Sequence, residues 1–142
     1  MEIALIAENS KKELMTQLCI AYCNVLSRHN IYTTSTLGNM IADATGLKTE
    51  RFLSGPQGGI EQINTKVEFN EIDALIIFRD NDKSNSRVSE FEEALIRTCD
   101  AHTIPVATNI ATAELVICAI ERGDLDWREY VNPVSKYNKN KR

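Results

Sequence analysis

The sequence predicts a doubly wound α/β fold, in which a five-stranded parallel sheet lies between two layers of helices. Short apolar runs alternate along the chain with segments whose apolar residues recur every three or four positions. Each helical segment must cross back over the sheet before the next strand begins, which makes the strands parallel and covers both faces. With 142 residues, 43% of them hydrophobic, the chain is long enough for one domain with a continuous core.

The first half of the chain opens with a strand over residues 2–7, a short run in which most residues are apolar. Ser10 is a candidate N-cap for the next helix, whose apolar stripe extends from Leu14 to Leu26. A second strand is predicted over residues 31–34, followed by a short helix over residues 38–44 that Gly46 closes. The third strand covers residues 50–53 and leads into a glycine-rich turn.

The second half repeats the same alternation. Helices are predicted over residues 60–70, 88–101 and 111–122, and strands over residues 74–78 and 106–108. The strand at 74–78 reads ALIIF, which is typical of a parallel strand buried on both faces. We therefore expect one domain over residues 1–131, followed by a polar, basic tail over residues 132–142 that frays.

Charge and composition disfavour several classes of partner. The net charge of -4 gives no positive field for nucleic acid or an anionic membrane. The longest apolar run, residues 115–120, is too short to span a bilayer, and Met1 leads into a strand rather than a signal peptide, so we expect a cytoplasmic protein. The four cysteines, Cys19, Cys23, Cys99 and Cys118, form no CxxC pair, and no nearby histidine completes a ligand set, which predicts reduced thiols and no metal site.

The loops that follow the predicted strands carry the candidate binding and catalytic residues. The turn SGPQGG at residues 54–59 precedes a helix and offers backbone amides, a hydroxyl and a positive helix end, which are the ingredients of an anion site. Four hydroxyls follow the second strand at residues 33–36, and Lys12 follows the first. Each has a plainer interpretation, as a tight turn, N-cap residues or a solvated charge. Their convergence on one sheet edge favours an anion site.

Several segments together resemble the methylglyoxal synthase family over nearly the whole chain. They are residues 3–7 with Lys12, residues 32–34, residues 44–46, the turn at 54–59 and the stretch PVATN at 105–109. The resemblance implies a three-layer, Rossmann-like fold of the methylglyoxal synthase type and a homohexamer. It also implies a phosphate site, and the residues that match the family's phosphate contacts are Lys12, Thr34, Thr36, Ser54 and Gly55.

The resemblance further implies an enzyme that converts dihydroxyacetone phosphate into methylglyoxal and phosphate, with no cofactor. In the family, a catalytic aspartate follows the glycine pair of the turn, and here that position is Ile60, which cannot accept a proton. Other departures affect further polar positions of the family's site: its His–Asp pair after the first strand is Glu8 and Asn9, and a threonine of the second-strand loop is Leu37. In the gapless match, Val88 and Phe91 replace a histidine and an aspartate. Asp80 matches a family aspartate.

Three functions stay open on the sequence. The first is a protein that binds a phosphorylated or anionic small molecule without catalysis, because the losses fall mainly on groups that handle protons. The second is a working synthase with a displaced base, with Glu8 as that base and Asp80 in an orienting role. Glu8 is otherwise a solvated loop charge. The third is a regulatory or interaction module that assembles with itself or with a separate protein.

Overall fold

The structure, a computed structural model, describes residues 1–81 and 87–140. Within these residues the sheet has five strands, all parallel, in the order β3-β2-β1-β4-β5. They are β1 (Glu2–Ala7), β2 (Asn30–Thr34), β3 (Thr49–Phe52), β4 (Ala74–Phe78) and β5 (Val106–Ala107). The predicted fold class is therefore confirmed, and every predicted strand lies within about a residue of its observed position.

The helices cover both faces of the sheet, as a parallel sheet requires. They are α1 (Lys12–Ala21), α2 (Cys23–Leu26), α3 (Ser35–Thr45), α4 (Gly59–Glu68), α5 (Arg87–Ala101), α6 (Ile110–Arg122), α7 (Arg128–Val131) and α8 (Lys136–Lys139). Short 3₁₀ turns precede α1 at Asn9–Lys11 and α4 at Gly55–Gln57.

The helix predicted to extend to Leu26 is observed as two, α1 and α2, and α4 ends at Glu68 rather than residue 70. Two helix starts also differ from the prediction by more than one residue. Ser10 lies inside the first 3₁₀ turn and does not cap α1, which begins at Lys12. Helix α3 begins at Ser35, directly after β2, rather than at Gly38. Gly38 therefore lies inside the helix, and a Cβ at this position would come within 2.4 Å of the Thr33 hydroxyl oxygen. Close packing of the helix on the strand therefore requires a glycine here. From the sequence alone, the same glycine is predicted to start the helix.

The core has two halves, one on each face of the sheet. Ile3 and Leu5 of β1 pack on one face with residues of α1, α3 and α6, whereas Ala4 and Ile6 pack on the other face with residues of α4 and α5. This alternation follows from the two-residue period of a strand. It makes β1 the central, fully buried strand and places its carboxyl end, after Ala7, between the two flanking strands.

Over residues 132–140, the part of the predicted frayed tail that the structure describes, the chain is ordered. Asn132 is completely buried, and Lys136–Lys139 form α8. The Asn138 amide donates to the carbonyl oxygens of Glu129 and Asn132, at 3.2 and 2.7 Å. The side-chain amide thus satisfies backbone carbonyl oxygens of the preceding residues. Such hydrogen bonds order a polar segment that has few apolar residues.

Neither a membrane-spanning helix nor a metal-binding cluster is found in the part of the chain that the structure describes. The helices described there do not combine the length and the apolar character that spanning a bilayer needs. No three His, Cys, Asp or Glu side chains there come close enough together to hold a metal ion. Burial raises the pKa of Cys19 and of Cys99 to about 12, so these two thiols stay protonated and unreactive at neutral pH.

Candidate functional site

A cavity of about 200 Å³ opens at the carboxyl ends of β1, β2 and β4. This is the edge at which ligands collect in open parallel sheets. The residues that the sequence predicts for catalysis or phosphate contact all line it: Glu8, Lys12, Thr34, Thr36, Ser54, Gly55 and Asp80. Of the four hydroxyls after the second strand, those of Thr33 and Ser35 do not. Ile60 lines it as well. The fold thus brings together these residues from four separate segments of the chain.

The glycine-rich turn forms one wall of the cavity. The backbone amides of Gln57 and Gly59 both donate to the carbonyl oxygen of Ser54, at 3.0 and 2.9 Å, and Gly58 adopts φ = 109°. A Cβ at Gly59 would lie only 1.9 Å from the carbonyl oxygen of Leu53. Glycine is therefore required at 58 for its conformation and at 59 for space. Ile60 in the first turn of α4 lines the cavity, so the N-terminal end of this helix, the positive end of its dipole, borders it.

Cationic and hydroxyl groups reach the same cavity from β1 and β2. Lys12 is the first residue of α1 and is partly buried, while Thr34 ends β2 and is 5% exposed. Thr36 follows in the first turn of α3 and is exposed. A charged amine, two hydroxyls and a helix N-terminus in one cavity form an arrangement suited to an anion such as phosphate.

Ile60 lies in the first turn of α4 and is 1% exposed. It belongs to the apolar cluster on that face of the sheet, with Ile63 and Val67 of the same helix. Its Cδ1 atom would lie 3.6 Å from a Cβ on Gly55, so the isoleucine packs close against the turn. The position therefore presents a hydrocarbon surface to the cavity.

Acidic groups lie after β1 and β4. The backbone amide of Asp80 donates to Oε2 of Glu8 across 2.8 Å, and the amide of Glu8 donates to the carbonyl oxygen of Phe78 across 3.0 Å. These bonds fix the two loops beside each other. The carboxyl of Glu8 is consequently held in the cavity wall and is only partly exposed, which differs from the plain interpretation of a solvated loop charge.

Glu92 of α5 is a cavity residue that the sequence reasoning missed. It is 1% exposed, and its burial raises its pKa to about 8, with the nearby Glu8 carboxyl adding to the rise and Arg79 opposing it. The sequence does hold a signal. Glu92 falls on the apolar stripe of α5, at helical spacing between Val88 and the buried Leu95 and Cys99. A glutamate on such a stripe is buried when the helix packs.

Not every position implied by the family resemblance faces the cavity. Asn9 and Val88 line it, whereas Leu37 is fully buried in the core on the α1 and α3 side. Phe91 packs against the other apolar cluster. A neighbouring, more polar cavity of about 550 Å³ shares Glu8, Asp80 and Glu92, and it is bordered by Thr108 and Asn109 of the PVATN stretch.

The chain is similar over nearly its whole length to known bacterial proteins. The chain is 52% identical to the methylglyoxal synthase of Caldicellulosiruptor saccharolyticus over 139 residues, which is 98% of each chain. It is 50% identical to that of Alkaliphilus metalliredigens over 131 residues, 92% of this chain and 97% of the other.

Among solved structures, the methylglyoxal synthase of Elizabethkingia anophelis matches with a TM-score of 0.73 and 30% identity, over 82% of this chain and 76% of that one. No protein-family model matches the sequence. The near full-length identity to the bacterial synthases and the shared fold show that this chain belongs to the methylglyoxal synthase family.

Proposed function

We propose that the cavity binds a small phosphorylated or otherwise anionic molecule and that catalysis of the synthase type is lost. One observation carries the proposal: the five residues that match the family's phosphate contacts line a single cavity together with Ile60. The residues that would hold the anion are thus grouped, while the position of the family's base is hydrocarbon.

The phosphate end of the ligand is held by complementary charge and hydrogen bonds. Lys12 supplies a full positive charge, and the amides at the start of α4 supply the positive end of its dipole. The hydroxyls of Thr34, Thr36 and Ser54 donate to the remaining phosphate oxygens. Charge-assisted bonds of this kind are about twice as strong as neutral ones.

The loss of catalysis follows from the chemistry at position 60. The synthase reaction removes a proton next to the carbonyl of dihydroxyacetone phosphate, and the resulting enediolate expels phosphate. Without a positioned base, the rate falls by roughly a hundredfold to ten-thousandfold. Glu61, the next residue, is exposed and about 100° further round the helix, so it does not replace the missing carboxylate.

An active synthase with a displaced base is the second proposal. It is favoured by the acidic wall of the cavity, where Glu8 is the candidate base and Asp80 the residue that orients it. The relatives at 52% and 50% identity, which are named methylglyoxal synthase, support it too.

A regulatory or interaction module is the third proposal. Such a module would act by assembling with itself or with a separate protein, and the expected homohexamer would be self-assembly of this kind. Sedimentation of the purified protein would test the oligomeric state.

The test measures methylglyoxal and phosphate formation from dihydroxyacetone phosphate by wild type, Ile60→Asp and Ile60→Asn. Titration of each protein with inorganic phosphate reports on the cavity itself. We expect wild type to bind phosphate without turnover, and Ile60→Asp to gain turnover that the neutral Ile60→Asn lacks. Turnover by wild type at an enzymatic rate would instead establish the displaced base, and loss of that turnover in Glu8→Gln would identify it.

A further inference from the structure

Glu92 is buried in the cavity wall without an ordinary hydrogen-bond partner. It is 1% exposed and borders both the 200 Å³ cavity and its polar neighbour. Among the described residues, no N–H or O–H donor satisfies either of its carboxylate oxygens. A buried carboxylate in this situation is strongly unfavourable, so the group takes up a proton or a ligand.

The charged neighbours of Glu92 favour a proton on this group. Glu8 lines both of the same cavities, and its carboxyl adds to the rise in the pKa of Glu92 that burial causes, so the two acids are close enough to share one proton. Glu8 in turn accepts the backbone amide of Asp80 through Oε2. Arg79 and Glu93 also face Glu92, and they form an ion pair with each other.

We propose that Glu92 and Glu8 form a proton-sharing carboxyl pair, which donates a hydrogen bond to a carbonyl or hydroxyl oxygen of the phosphorylated ligand. The inference rests on the proposed function, because Lys12 and the α4 turn hold the phosphate end of the same molecule. It narrows the ligand class to small phosphate esters that carry an oxygen acceptor on the carbon chain. A phosphate ester whose carbon chain has no oxygen cannot accept a hydrogen bond from the pair.

The surroundings favour the protonated pair at neutral pH. Ile6, Ile60 and Val88 line the cavity beside it, and an apolar environment stabilises a neutral acid over a carboxylate. Arg79 opposes the rise in the pKa of Glu92 only in part, and it also forms an ion pair with Glu93. Lys12 is assigned to the phosphate end of the ligand. Burial raises the pKa of Glu92 to about 8, so the donor is present at neutral pH and is lost above that value.

The test compares two probes of equal carbon number, hydroxyacetone phosphate and propyl phosphate, by calorimetric titration across a range of pH. Both carry the same phosphate group, so the ionisation of that group and of Lys12 cancels in the ratio of their affinities. We expect the ketone to bind about tenfold more tightly near neutral pH, which is the worth of one good hydrogen bond. The ratio should fall towards one well above pH 8, the range in which Glu92 ionises.

Variants separate the pair from the phosphate site. Glu92→Gln keeps an N–H donor at every pH, so its preference for the ketone should persist in alkaline solution. Glu92→Leu should have no preference at any pH, while Glu90→Gln, an exposed site on the same helix, should behave as wild type. An unchanged preference in Glu92→Leu, or a preference that rises with pH, would overturn the proposal.

Failure of the two proposals gives different results. If neither ester binds, the proposed function fails and the role of the pair fails with it. If both bind with equal affinity at all pH values, only the pair is refuted. Infrared difference spectra of wild type against Glu92→Gln give a readout without ligand: a protonated carboxyl band should be present at neutral pH in wild type, and its absence would refute the shared proton.

Discussion

Arg128 donates from Nε to Oδ1 of Asp73 across 3.2 Å, and the two side chains are only 1% and 5% exposed. The amide of Asn132 donates to the same oxygen at 2.9 Å, and the backbone amide of Glu2 donates to the other oxygen at 2.8 Å. Arg128 also donates to the carbonyl oxygen of Ile72 at 2.8 Å. This buried network ties the C-terminal segment to the start of β1 and β4.

Arg128→Met should lower the free energy of unfolding by about 3–5 kcal/mol, because it leaves the Asp73 carboxylate buried without its cation. Urea unfolding measures the loss. The control is Arg122→Met, which breaks the exposed Arg122–Asp124 ion pair and should cost under about 1 kcal/mol. Equal losses in the two variants would contradict the importance assigned to the buried network.

Gly59→Ala should disrupt the turn that forms one wall of the cavity. Its methyl group would lie 1.9 Å from the carbonyl oxygen of Leu53, and backbone atoms must move to relieve that overlap. We expect a loss of stability of about 1–3 kcal/mol, as for overpacking elsewhere, together with loss of phosphate binding. Gly55→Ala is the matched variant: its methyl group makes an ordinary 3.6 Å contact with Ile60, so the fold should keep its stability.

Stability should fall as the pH rises through the interval between the unfolded and folded pKa values of Glu92. The folded pKa is raised from 4.5 to about 8, so over this interval the folded protein retains a proton that the unfolded chain has released. Stability therefore decreases there by up to about 1.4 kcal/mol per pH unit.

Thermal or urea unfolding of Glu92→Gln across the same pH range isolates this contribution. The free energy of unfolding of the variant should not show this decrease with pH. Relative to wild type, the variant should therefore become more stable in alkaline solution. Parallel pH profiles of the two proteins would mean that Glu92 is already ionised in the folded state.

Lys12→Met should weaken binding of inorganic phosphate by about tenfold to a hundredfold, which corresponds to one charge-assisted hydrogen bond. The methionine keeps the length of the side chain, and the variant should unfold as wild type does. Lys11→Met removes a charge one residue earlier, outside the cavity lining, and should change affinity little at physiological ionic strength. Similar weakening by both substitutions would point to a diffuse field rather than a site.

Much of the fold was predictable because its signals are local. The run ALIIF at 74–78 and the three-to-four spacing along α4, α5 and α6 report burial directly, and the predicted strands lie where the structure has them. The grouping of Lys12, Thr34 and Ser54 was also predictable, since parallel strands end at one sheet edge. The start of α3 was not, because Gly38 is required by contact with β2 rather than by helix propensity.

By itself, the sequence determined the order of the elements, the family and the hydrocarbon at position 60. Only the tertiary structure decided that Glu92 approaches Glu8 and that Arg128 reaches Asp73. The reason is physical. Periodicity encodes which residues leave water, whereas the charge state of a buried acid depends on which distant groups surround it once the water is gone.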